Sequence, residues 1–185
     1  LLITTNSMFR QALFFNQSSA VGGFDYNYQQ NKSKQLLVNG LESRETELHE
    51  LRTRINFTKS FGFFTASNYG TKKTNSIYLS TRNYSINYYE VEPKLVFQPN
   101  TSFRIATGYK RSEKQNAKEY GNQKATIDDI LLEIKYNKLN KGSFTMRADY
   151  LLIAYNDVLN SPVAFEMLSS LKPGQNITWS MQYQQ

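Results

Sequence analysis

Few residues in this chain have types and spacings suited to chemistry. Its single histidine, His49, stands in Glu47-Leu48-His49-Glu50, where neighbouring carboxylates would suit a general base. A base needs a nucleophile beside it, and no Gly-x-Ser-x-Gly elbow or similar signature is present. A histidine on the exposed or lumenal face of a strand is the plainer reading. With one His and no Cys, a multi-histidine or thiolate metal centre and a disulfide framework are both excluded. Asp128-Asp129 lacks the spacing of a calcium loop and reads as the entry to a strand. No phosphate loop or dinucleotide fingerprint occurs. The sequence therefore predicts no enzyme, no metal and no cofactor.

Six Asn-x-Ser/Thr triplets, at Asn16, Asn31, Asn56, Asn83, Asn100 and Asn176, would mark glycosylation in a eukaryotic secreted protein. Asn56 falls within an alternating segment, and a chain rich in Asn, Ser and Thr produces such triplets by chance. The net charge of +7 and pI near 9.5 suggest nucleic acid on their face. However, Lys72-Lys73, Lys110-Arg111, Lys114, Lys118 and Lys124 are scattered through polar stretches that also carry Glu and Asn. That distribution fits a solvated or headgroup-facing loop surface, and no nucleic-acid partner is predicted.

The elements that hold these residues are strands. A length of 185 residues fits one unit. Thirteen Tyr, twelve Phe and one Trp favour half-buried pleated surfaces and argue against disorder. Period-2 alternation recurs: Leu51, Thr53, Ile55 and Phe57 against Arg52, Arg54 and Asn56, then Phe144, Met146, Ala148, Tyr150 and Leu152 against Thr145, Arg147 and Asp149. Nine strands are expected, at about 7–15, 21–30, 45–57, 61–69, 84–97, 102–111, 126–136, 143–154 and 176–185. Short breaks at 16–20, 58–60, 98–102 and 137–142 alternate with long polar stretches at 31–44, 70–83, 112–124 and 156–175. Strands joined this way form an up-and-down meander with unlike ends, as in outer-membrane barrels with tight periplasmic turns and longer outer loops. One helix candidate, Pro162–Leu171, falls in the last long loop. No run reaches the ~20 apolar residues of a spanning helix. Leu1-Leu2-Ile3-Thr4-Thr5 has no leader character, so the leader of an exported protein is expected upstream. An odd strand count and an end at Gln182-Tyr183-Gln184-Gln185 predict one β-barrel segment, 1–185, of a larger barrel.

Arg52-Ile55-Asn56-Phe57-Thr58-Lys59, Glu92-Pro93-Lys94 with Phe97-Gln98-Pro99-Asn100-Thr101-Ser102-Phe103-Arg104, and Ala164-Phe165-Glu166-Met167-Leu168 followed by Leu171-Lys172-Pro173-Gly174-Gln175-Asn176 carry a resemblance. Over most of its length the chain resembles the C-terminal barrel region of large outer-membrane proteins of Bacteroidota. The matching motifs are turn and strand signatures without chemistry. The resemblance implies the outer membrane and names no substrate.

Two sets of residues become candidates. Arg54, Glu92, Lys94, Arg104, Glu133, Lys135, Arg147 and Asp149 would form a lumen-facing ladder of mixed charge, or the solvated face of an ordinary sheet. Phe57, Phe61, Phe97, Phe103, Tyr136, Phe144 and Trp179 would form an interfacial girdle, or core packing at hairpin ends. The expected function is a non-enzymatic outer-membrane wall segment acting as channel, transport or export conduit, or membrane anchor. Its partners would be the bilayer, the remaining barrel strands of the same or a neighbouring chain, and accessory outer-membrane or periplasmic proteins. The competing readings are a soluble or surface-exposed β-sandwich binding module and an outer-membrane enzyme with His49 as base.

Overall fold

Aromatic and β-branched residues on alternate positions form nine strands, and each strand pairs antiparallel with its neighbours in sequence. The computed structural model describes residues 3–37, 40–138, 141–155 and 174–184. The strands are β1 Ile3–Phe15, β2 Gly22–Leu37, β3 Gly40–Asn56, β4 Phe61–Ser76, β5 Tyr84–Asn100, β6 Phe103–Asn116, β7 Lys124–Lys138, β8 Gly142–Tyr155 and β9 Gly174–Gln184. They make a single meander with β1 and β9 as its two edges, and the sheet does not close on itself. The helix candidate at 162–171 lies outside the described residues.

Of the expected long loops, 31–44 proves to be largely strand, and 70–83 and 112–124 are each cut to about half. β2 runs to Leu37 and pairs there with Gly40 of β3, so 31–44 is mostly hairpin. β4 continues to Ser76 and β6 to Asn116, which shortens the connections to 77–83 and 117–123. The stretch 156–173 lies outside the described residues. The physical reason is that polar residues extend the ladder as well as apolar ones when cross-strand partners answer them. Lys32 reaches Glu45 at 2.7 Å, and Lys124 reaches Glu113 at 2.5 Å.

Asn and Thr side chains shape the connections. Asn100 Oδ1 accepts the Ser102 and Phe103 amides, both at 2.9 Å, and Thr58 Oγ1 accepts Ser60 and Phe61 at 3.2 and 3.0 Å. Asn83 Oδ1 accepts the Ser76 amide at 2.6 Å, and Asn16 takes a positive φ of 51°. Asn56 donates to the Ala20 carbonyl at 2.7 Å. Four of the Asn-x-Ser/Thr asparagines, Asn16, Asn56, Asn83 and Asn100, thus have local backbone roles.

Register assigns every strand residue to one of two faces. Phe63 lies opposite Ile55 and Leu95, and Leu95 lies opposite Thr107, which lies opposite Leu132, then Ala148, then Trp179. These residues define an apolar face. The polar face carries the intervening positions, charged residues among a few buried apolar ones. Among the described residues, all the buried ones lie on the polar face: Ile86, Ala106, Ala125 and Ile153 with Ser76, Ser112 and Asn116, and Gly62 and Gly70. Ile86 and Ala125 share one cluster although β6 separates their strands, so the sheet is concave towards the polar face. On β1, Met8 and Phe14 are exceptions, apolar and exposed on the polar side.

Gly70 sits on that polar face beneath Tyr88, its partner across β4 and β5. A Cβ there would lie 2.2 Å from the Glu47 carbonyl oxygen and 2.6 Å from the Tyr88 hydroxyl. The glycine lets the tyrosine ring lie down over the backbone.

Candidate functional site

The two faces themselves are the site candidates. Along β4 the apolar face carries Phe61, Phe63, Thr65, Ser67 and Tyr69; along β5 it carries Phe97, Leu95, Pro93, Val91 and Tyr89. It is open to its surroundings, with Ile130 50%, Met181 60% and Trp179 71% exposed. Pro93 lacks an N–H, and β5–β6 pairing lapses around it between Val91 and Lys94 without a change of register.

Aromatic rows edge this face at both ends. At the short-turn end, Phe15 lies opposite Phe24, Phe61 opposite Phe97, and Phe103, Tyr136, Phe144 and Tyr183 follow one another across four strands. Phe57, just beyond β3, stacks on Phe61 at 5.7 Å between ring centroids. Of the aromatics predicted from sequence, Trp179 is set apart. It faces Ala148, well inside the apolar band, and Tyr183 takes the end position.

The second row was not singled out from sequence. Tyr28, His49, Tyr69 and Tyr89 lie directly opposite one another, with Tyr28 and His49 rings 4.8 Å apart and His49 and Tyr69 rings 6.0 Å apart. A recoverable signal existed: Tyr69 follows Phe61, and Tyr89 precedes Phe97, by the same number of residues. Charged groups answer the row: Tyr28 donates to Glu47 at 3.0 Å, and Tyr89 donates to Glu113, its partner in register, at 3.2 Å. Inside the row, on the same face, Tyr109 donates to Asp128 at 2.5 Å, and Arg111 lies 3.8 Å from that carboxylate. His49 belongs to this row. Its Nδ1 shares a 2.8 Å hydrogen bond with the Tyr26 hydroxyl, and its Nε2 lies 3.5 Å from Glu47. Strand alternation puts Asp128 and Asp129 on opposite faces, so the two carboxylates cannot share one ion. No group of metal-ligating side chains occurs among the described residues.

All eight residues of the predicted charge ladder fall on the polar face. Glu133 is their centre, taking Arg104 and Lys135 at 3.0 Å each. Arg147 stands opposite Glu133 in register but turns along its own strand to Asp149, donating at 2.8 and 3.1 Å. Arg54 has a different task. Its guanidinium donates to the carbonyls of Gln17 and Ser19 at 2.9 and 2.7 Å, clamping the β1–β2 connection. The polar face further carries Lys72, Tyr88 and Lys114, which the sequence had assigned in part to loops. No family model, curated protein or solved structure matches this chain.

Proposed function

We propose that this chain is a wall segment of an outer-membrane β-barrel, non-enzymatic, lining a transport or export conduit or anchoring a larger protein in the membrane. The observation that carries the reading is the exposed apolar face: the contiguous face of Phe, Leu, Ile, Tyr and Trp is open to its surroundings, while the few enclosed residues, Ile86 and Ile153 among them, lie on the face that carries the charges. Soluble monomers rarely expose apolar patches beyond a few hundred Å². Hydrocarbon, by contrast, solvates such a face, provided every backbone polar group is paired.

Dimensions support the same reading. From Phe61 to Tyr69 the rise of about 3.3 Å per residue gives about 26 Å along the strand, or about 20 Å of height at a tilt near 40°. That is comparable to the ~25 Å apolar band of outer-membrane barrels, and the aromatic rows stand where its interfaces would be. Strand ends past the tyrosine row, with Lys32, Glu45 and Lys124, would then rise above the bilayer. The resemblance to barrel regions of Bacteroidota outer-membrane proteins points to the same compartment. The mixed-charge polar face becomes the wet interior, better suited to a plugged or gated space than to a strongly ion-selective pore.

Folding with and without detergent tests the proposal. The chain refolded into nonionic detergent is expected to give a dispersed species with a β-rich far-UV spectrum, and removal of detergent is expected to precipitate it. A monodisperse, folded chain in detergent-free buffer would reject the membrane reading in favour of a β-sandwich.

A further inference from the structure

On the polar face, one depression of about 320 Å³ is lined by consecutive strands from β3 to β6. Two lysines line it, Lys72 from β4 and Lys114 from β6, with Tyr88 of β5 on the strand between them. Tyr88 lies opposite Gly70 on one side and Lys114 on the other, and the Lys72 Nζ stands 5.5 Å from its ring centroid. The glycine beneath lets the ring lie flat and sets its hydroxyl over the backbone. Neither lysine makes an ion pair with a carboxylate among the described residues. Glu90, which also lines the depression, is engaged by Lys110 at 3.1 Å and by the Asn68 amide at 3.3 Å. Glu50 lines the opposite side of the depression and limits how much negative charge it would accept.

We propose that Lys72, Tyr88 and Lys114 form an anion-binding subsite on the polar face, which takes a compact oxyanion, the phosphate or carboxylate group of a small solute. The ammonium groups supply charge and donors from two strands, and the tyrosine hydroxyl, which leans over Gly70 of β4, supplies a neutral donor on the Lys72 side. The polar face is solvated whether the sheet lines a barrel or covers a sandwich. The subsite therefore does not rest on the membrane reading, and each can fail without the other.

Calorimetric titration of the full chain at low ionic strength, in nonionic detergent, with inorganic phosphate and separately with succinate, tests it. Saturable binding of at least one is expected; phosphate alone would identify phosphorylated solutes, and succinate alone carboxylates. Lys72→Gln and Lys114→Gln are each expected to weaken binding about tenfold, the loss of one charge-assisted hydrogen bond. Lys72→Arg is expected to retain binding, and Tyr88→Phe, which keeps the ring over Gly70, to weaken it. Lys73→Gln is the control, because this neighbour in sequence faces the other side of the sheet. Absence of saturable binding by either probe would overturn the subsite. An equal loss on Lys73→Gln would also overturn it, since only diffuse charge would then be at work.

Discussion

At the scale of single residues, the two faces set different rules for the same substitution. Ala148 lies between Leu132 and Trp179 on the apolar face, whereas Thr145 on the same strand lies between Lys135 and Gln182 on the polar face. Ala148→Arg is expected to cost about 2–4 kcal/mol, the penalty of a cation near a bilayer midplane. Thr145→Arg should stay within about 0.5 kcal/mol, as surface changes usually do. Urea titrations of both variants, co-refolded with natural flanking strands into lipid vesicles, measure the difference, and equal costs would show the faces wrongly assigned. Gly70→Ala tests local packing instead. Its Cβ would meet a backbone carbonyl at 2.2 Å, and backbone cannot swing aside as a side chain can. A loss of about 1–3 kcal/mol is expected, the usual cost of overpacking. If Gly70→Ala unfolds at the wild-type urea midpoint, the close approach of β3, β4 and Tyr88 is wrong.

Elements add direction. Each antiparallel strand reverses the chain, so every second connection shares an end: 16–21, 57–60, 101–102 and 139–141 at one, 77–83 and 117–123 at the other. In a membrane these ends face different compartments. Lys118 lies in the connection after β6 and Lys59 in the tight turn after β3. Cysteines placed at these two positions should therefore differ on intact cells: Lys118→Cys is expected to react with an impermeant maleimide, and Lys59→Cys only after the outer membrane is breached. Equal labelling before breaching would reject a transmembrane arrangement.

For the molecule as a whole, the open sheet is the governing fact. β1 and β9 each have one neighbour, which leaves a row of backbone donors and acceptors unpaired at both edges. β9 is exposed along its whole described length, and β1 exposes Met8 and Phe14 on the side that is polar elsewhere. In hydrocarbon such edges are untenable, so further strands are expected to cover them. The 185-residue chain alone is accordingly expected to run at one position on semi-native gels before and after boiling, without the heat-resistant compact species of a closed barrel. Co-refolding with natural flanking strands should create that species. A heat-resistant monomer from the chain alone would mean that β1 and β9 pair with each other.

The sequence by itself determined what alternation can determine. Nine strands in an antiparallel meander follow from alternation broken by turn signals, and the division of each strand into two faces follows from a side-chain period of two; that Arg54, Glu92, Arg104, Glu133 and Arg147, one from each of five strands, share a face is set by register. The sequence also identified the aromatic positions beside the short turns, because hairpin ends carry Asn, Thr and Gly signals. Strand length was another matter. Polar stretches such as 31–44 and 70–76 look like loops until a partner strand is known, since it is Glu45 across from Lys32 that keeps β2 extended. The tertiary structure alone decided that the tyrosines of three strands fall into one row with His49. It also brought Lys72 and Lys114, far apart in sequence, to either side of Tyr88. Register and curvature set both, and no local pattern encodes a distance across three strands.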